Sequence, residues 1–150
     1  MTVLKLADLY QTVVLAHAQS PRHRAILPAA PAVTLRNMTC GDVLTVQLVV
    51  KADQIQAISF TGSGCTISQA SASMLTVCLD QQSVAQAQAR LAAFSQVITG
   101  TPITATMRQA LGDAAILGTV AAFPTRIRCA TLAWHAADQL LTQLVGATHD

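Results

Sequence analysis

Apolar residues recur along this chain in two rhythms. Leu6, Leu9, Tyr10, Val13 and His17 share one side of a helix at 3.6 residues per turn, which predicts an opening amphipathic helix ending near "SPRH" at residues 20–23. The segment "LPAAPAV" that follows is a proline-broken connector. Over residues 42–60 the period drops to two. Leu44, Val46, Leu48 and Val50 fall on one face, and Thr45, Gln47 and Lys51 on the other. A turn at "KADQ" reverses the chain into "IQAISF". With "VTLRN" upstream, this predicts an antiparallel sheet of about three strands, one face of which needs cover from helices.

Beyond Gly62 and Gly64 the helical period returns through Ile67, Ala70, Ser71, Met74, Leu75 and Cys78. Val84, Ala87, Leu91, Phe94 and Ile98 predict another helix, stopped by "GTP" at residues 100–102. Two shorter helical pieces follow, separated near "LGD" at residues 111–113. Pro124 fits a helix entry, and Ala130, Ala133, Ala137, Leu140, Leu141 and Leu144 line a long final helix. Helix, sheet, then helices describes an α+β fold without internal repeats, expected as a single domain over residues 1–150.

Composition narrows the possible functions. Hydrophobic residues make up 52% and charged residues 11%, which suits a packed globule and not a disordered chain. A formal net charge of +2, with scattered Lys and Arg, supplies no basic stripe for nucleic acid. No apolar run approaches the ~20 residues of a membrane span. The first 18 residues lack a signal-peptide pattern, so the expected location is the cytoplasm. All acidic residues are Asp, so any carboxylate chemistry must come from an Asp.

Four cysteines, Cys40, Cys65, Cys78 and Cys129, occur without a C-x-x-C pair, which favours metal or thiol chemistry assembled from distant segments over disulfides. In "NMTCGD", Cys40 and Asp42 would face the same side if extended, although a surface turn before a strand is the plainer reading. Cys65 follows two glycines at a predicted helix start, where free backbone N–H groups favour a thiolate. On residues alone it reads equally as a reactive ligand and as a small buried residue in a strand-to-helix turn. Cys129 is placed in the first turn of the last helix, flanked by Arg126 and Arg128. Cys78 belongs to an apolar stripe and is expected in the core.

Cys40, Asp42, Cys65 and Cys129 thus form a candidate four-ligand set for tetrahedral zinc, although spacing does not establish that they converge. Three thiolates and a carboxylate around Zn²⁺ leave about −2 of charge to balance. Arg126 and Arg128 are either that balance or two solvated side chains. His17, His23 and His149 are expected at the surface or at caps, and His135 faces away from Cys129, which disfavours a Cys/His hydrolase.

Taken together, "LADLYQTVVLAHAQSPRHRAIL", "NMTCGD", "FTGSGCTISQASASML" and "FPTRIRCATLAW" resemble the SufU branch of the IscU/NifU-like iron–sulfur assembly proteins, over about residues 4–145. The helical segment near residues 101–123 also looks like that branch. The resemblance implies zinc held by Cys40, Asp42, Cys65 and Cys129, with Cys40 taking sulfane sulfur from the persulfide of a SufS-type cysteine desulfurase. In family terms the partner offers its own zinc ligand and so frees the acceptor cysteine, and Arg126 balances charge or docks the partner. Downstream iron–sulfur assembly proteins are the implied recipients, and a scaffold holding an iron–sulfur cluster on the same residues is the alternative. Two departures stand out: Met38 replaces a usual proline, and Arg128 stands where IscU-type scaffolds carry histidine. No proline-rich chaperone-binding segment follows, which favours sulfur transfer over cluster building.

Overall fold

The computed structural model describes residues 6–149; the side chains of residues 6–8 and 147–149, His149 among them, lie outside the described residues. The chain runs α1 (Leu6–Gln19), β1 (Ala32–Asn37), β2 (Asp42–Lys51), β3 (Gln54–Ser63), α2 (Thr66–Leu79), α3 (Val84–Ile98), α4 (Ala105–Leu111), a 3-10 segment (Gly112–Ala122) and α5 (Pro124–His149). The three strands form one antiparallel sheet with β2 in the centre, as the two-residue period predicts. Asn37 lies opposite Asp42 in the β1–β2 ladder, and Val43 lies opposite Ser63 in the β2–β3 ladder. This register brings the end of β1, the start of β2 and the end of β3 to one edge.

Leu44, Val46 and Leu48 point inward, as alternation requires, and meet Phe60 and Ile58 of β3. Each fully buried side chain of this size contributes roughly 1.5–3 kcal/mol. A bulge at Val49/Val50 breaks the alternation, and Val50 is only half-buried although its period places it inside. Gln47, on the polar side of the pattern, is also buried. The connector folds back over it, and the Gln47 amide pairs with Leu27 N–H at 2.8 Å, Leu27 C=O at 2.7 Å and Ala30 C=O at 3.2 Å.

Helices α5 and α2 cover the sheet, and α1, α5, β3 and the 3-10 segment enclose α2. That enclosure accounts for the small residues of α2: Ala70, Ser71, Ala72 and Ser73 are all buried. The buried hydroxyls of α2 are partnered. Ser71 donates to the Ala130 carbonyl and accepts from Trp134 Nε1 at 2.9 Å, which fastens α2 to α5. Trp134 also stacks on Phe94, with ring centroids 3.8 Å apart, joining α5 to α3.

His17 departs from the sequence expectation: it is 1% exposed, not a surface or cap residue. It sits on the same helical stripe as Val13, and the neighbouring α2 supplies a polar partner. Its Nδ1 is 2.8 Å from Ser73 Oγ and its Nε2 2.9 Å from Asp113 Oδ2, so it ties α1, α2 and the 3-10 segment together. Among the described residues, no helix is long and apolar enough to cross a membrane.

Candidate metal centre

Three parts of the chain meet at the sheet edge: the β1–β2 turn, the β3–α2 junction and the start of α5. Cys40 lies in the turn and is exposed. The turn closes through Gly41 N–H to Asn37 C=O at 2.8 Å and Thr39 N–H to Asn37 Oδ1 at 3.1 Å, with Gly41 at φ +76°. Cys40 and Asp42 therefore converge through a turn, not through the extended chain that would put i and i+2 on one side. Asp42 opens β2 and is 1% exposed.

Cys65 stands where the two-residue period gives way to the helical one. It is the N-cap of α2, and its sulfur accepts Ser68 N–H at 3.4 Å. Its own N–H donates to Asp42 Oδ1 at 3.0 Å, and its Sγ lies 4.0 Å from Asp42 Oδ2. Gly64 makes this approach possible: a Cβ there would come within 2.7 Å of Asp42 Oδ1. Arg24 steadies the junction by donating to the Gly62 carbonyl at 2.8 Å and to Gln69 Oε1 at 2.5 Å.

Cys129 corrects the sequence reading. Helix α5 begins at Pro124, which puts Cys129 in the second turn, away from the free N–H groups of the helix start. It is 5% exposed, and its thiol donates to Cys40 Sγ at 3.5 Å. The ligand atoms of Cys40, Asp42 and Cys129 all lie within 4.8 Å of one another. The Cys65 sulfur is not one of that mutually close set; it stands at its rim, beside Asp42.

Burial pushes the Cys129 thiol far above the usual thiol range, and hydrogen bonding with Cys40 and Cys65 and the negative charges of Cys65 and Asp42 push it the same way. A cation among these groups would reverse the balance. The geometry suits one: four ligands around Zn²⁺ at about 2.3 Å have edges of about 3.8 Å. The observed Cys129–Cys40 and Cys65–Asp42 separations of 3.5 and 4.0 Å bracket that value. The donor set of thiols and a carboxylate fits zinc, and thiolate-held iron also lies within its chemistry.

The two arginines stand apart from the ligand atoms. Arg126 is exposed, with its guanidinium 5.4 Å over the Phe123 ring. It is close enough to Tyr10 to offset part of the upward push that burial exerts on that phenol. Arg128 donates to Thr39 Oγ1 at 3.2 Å and so braces the Cys40 turn from α5. Neither bonds to a cysteine or to Asp42 among the described residues. Cys78 is remote from the centre. Burial raises its thiol to about 11, and Arg90, which bonds the Cys78 carbonyl at 2.6 Å, offsets only part of this.

One neighbour escaped the sequence reading. Asn37 is 7% exposed, and its Nδ2 lies 3.9 Å from Cys129 Sγ. Its signal was a polar residue ending a strand immediately before the cysteine turn.

The chain is similar along most of its length to proteins of named function. It is 40% identical over 149 residues to the iron–sulfur cluster assembly scaffold protein IscU of Streptococcus pyogenes serotype M1, covering 99% of this chain and 92% of that one. It is 34% identical over 134 residues to the zinc-dependent sulfurtransferase SufU of Bacillus subtilis, covering 89% and 90%. The crystal structure of a nitrogen-fixing NifU-like protein (N-terminal) from Brucella abortus superposes with a TM-score of 0.80 at 16% identity, over 95% of this chain and 99% of that one, and shares the fold. A family description, the NifU-like N terminal domain, matches residues 9–130. With the three-stranded sheet, the helical cover and the cysteine cluster at its edge, these matches establish that the chain belongs to the NifU-like N-terminal domain family.

Proposed function

We propose that this protein is a zinc-dependent sulfurtransferase of iron–sulfur cluster assembly, in which Cys40 takes sulfur from a SufS-type cysteine desulfurase. Asp42, Cys65 and Cys129 hold the metal with Cys40. The observation that carries the reading is the convergence of Cys40, Asp42 and Cys129 within 4.8 Å from segments far apart in the chain. The zinc-dependent relative at 34% identity supports it.

The chemistry is an exchange between sulfurs. The Cys40 thiolate attacks the outer sulfur of the partner's persulfide, the S–S bond breaks, and the partner's cysteine leaves as a thiolate. Cys40 then carries the persulfide, with no net oxidation. When bound, zinc keeps the thiolates deprotonated at neutral pH while damping their nucleophilicity. Cys40 suits the acceptor role because it is exposed on a turn, whereas Cys129 is buried in a helix. Arg126, exposed at the start of α5, is placed to meet the partner. Free cysteines suit a reducing compartment, and the reading puts the work in the cytoplasm.

The test is to mix purified protein with a SufS-type desulfurase, cysteine and a reductant, and to follow alanine release. The parent should stimulate turnover and a Cys40→Ala variant should not; equal stimulation by both would remove Cys40 as acceptor. The relative at 40% identity, named a scaffold, favours a second reading in which the same residues hold an iron–sulfur cluster. Protein isolated without oxygen separates the two: colourless with one zinc for the transferase, brown and iron-rich for the scaffold.

A further inference from the structure

The four candidate ligands differ in what reaches them from behind. Cys65 Sγ accepts Ser68 N–H at 3.4 Å, and Asp42 Oδ1 accepts Cys65 N–H at 3.0 Å. Cys129 Sγ faces Asn37 Nδ2 at 3.9 Å. Cys40 Sγ meets only the thiol of Cys129, a proton that metal binding would remove. Among the described residues, Cys40 is thus the one member of the set without an N–H donor.

We propose that Asn37 is a positioning residue: its amide donates to the Cys129 sulfur and keeps that thiolate on the metal while Cys40 leaves. The inference rests on the metal reading above. An N–H···S bond delocalises thiolate charge and lowers its nucleophilicity, so the ligands that receive one are the poorer attackers and the more permanent residents. Asn37 suits this role. It ends β1, it is buried, and its Oδ1 is engaged by Thr39 N–H at 3.1 Å, which leaves the NH₂ side of the amide turned to Cys129. One side chain therefore shapes the turn that carries the mobile ligand and supports a ligand that stays.

Two variants separate these jobs. Asn37→Ala removes both hydrogen bonds. Asn37→Asp keeps an oxygen for Thr39 N–H but exchanges the donor for a charged oxygen, so an effect confined to Asn37→Asp would be that of the charge and would also overturn the proposal. Parent and variants are loaded with Co²⁺, and the thiolate-to-cobalt charge-transfer band is recorded; zinc-loaded samples are alkylated with iodoacetamide and each cysteine is followed by peptide mass spectrometry. In both variants the band should move to lower energy and Cys129 should react about 10-fold faster, on the scale of the ~10-fold loss of metal affinity that removing a supporting bond costs, while Cys65 keeps its rate. An unshifted band with Cys129 still protected in Asn37→Asp overturns the proposal, as does an effect confined to Asn37→Ala, which would assign Asn37 to the turn alone. Equal acceleration of Cys65 and Cys129 would mean general loosening and also overturns it. A parent that takes up no cobalt defeats the metal reading itself, a result distinct from any of these.

Discussion

Two polar clusters abut α2, and they are built on opposite plans. Around His17 both ring nitrogens and the Ser73 hydroxyl find partners within the protein. Ser73 Oγ accepts Arg22 N–H at 2.8 Å and pairs with His17 Nδ1 at 2.8 Å, while His17 Nε2 pairs with Asp113 Oδ2 at 2.9 Å. Thr76 completes the group by donating to the Arg22 carbonyl at 3.1 Å. Around Cys65, at the start of the same helix, thiols and a buried carboxylate converge, and among the described residues no Arg, Lys or His side chain bonds to them. The first cluster is finished by folding; the second is finished only when something positively charged arrives. Buried polar groups that neutralise one another mark a clasp, and converging anionic ligand types mark a place for a cation.

The sharpest way to break this contrast is a functional one. Cys40→Ser should reduce desulfurase stimulation to background while shifting the stability of metal-free protein by no more than about 0.5 kcal/mol, as exposed positions do. Stimulation that survives would move the acceptor elsewhere. Next in size is the effect of metal. Zinc at a thousandfold its dissociation constant should stabilise the parent by about 4 kcal/mol in paired melts with and without chelator, and should do nothing for Cys129→Ala. If both gain alike, the ion binds at some other place.

The clasp should respond in the reverse sense. His17→Leu removes the imidazole bonds to Ser73, which keeps Arg22 N–H, and to Asp113, which is 60% exposed and can rehydrate, so it should cost about 1–2 kcal/mol in urea unfolding, with zinc affinity and stimulation unchanged in the folded protein. A fall in zinc affinity would show the two clusters to be one system. Smaller again is the pH effect. Because burial and its neighbours push the Cys129 thiol upward, it keeps its proton at neutral pH without metal, so metal uptake must expel that proton. Affinity should fall as pH falls, about tenfold per unit for each proton released, in chelator competitions between about pH 6 and 8. The smallest effect belongs to Cys78. With its thiol at about 11 and its side chain buried, it should resist alkylation in the native state, and Cys78→Ala should cost about 1 kcal/mol and no activity.

The sequence carried the sheet and helices well because their signals are local. Leu44, Val46 and Leu48 alternate, Ala133, Ala137 and Leu140 follow the helical period, and all are buried as those patterns require. What it missed depends on which segments fold over which. Gln47 sits on a polar stripe but lies beneath the Leu27–Ala30 connector. His17 belongs to an apolar stripe, yet only the arrival of Ser73 and Asp113 makes burial of an imidazole tolerable. The cysteine set was legible as separate motifs, and its convergence came from resemblance, since spacing says nothing about where three remote segments meet. Placing Cys129 one turn too early is a fault of counting from the Pro124 entry that the sequence already offers: the sixth residue of a helix lies in its second turn.

The turn that carries Cys40 is only four residues long and is anchored at both ends by the Asn37–Asp42 pair of the ladder. At about 3.5 Å of chain per residue, so short a tether cannot ferry cargo from one face of the molecule to another. On the transferase reading proposed above, giver and taker would have to visit the same doorstep one after the other, so the length of a hairpin would impose relay kinetics of the ping-pong kind.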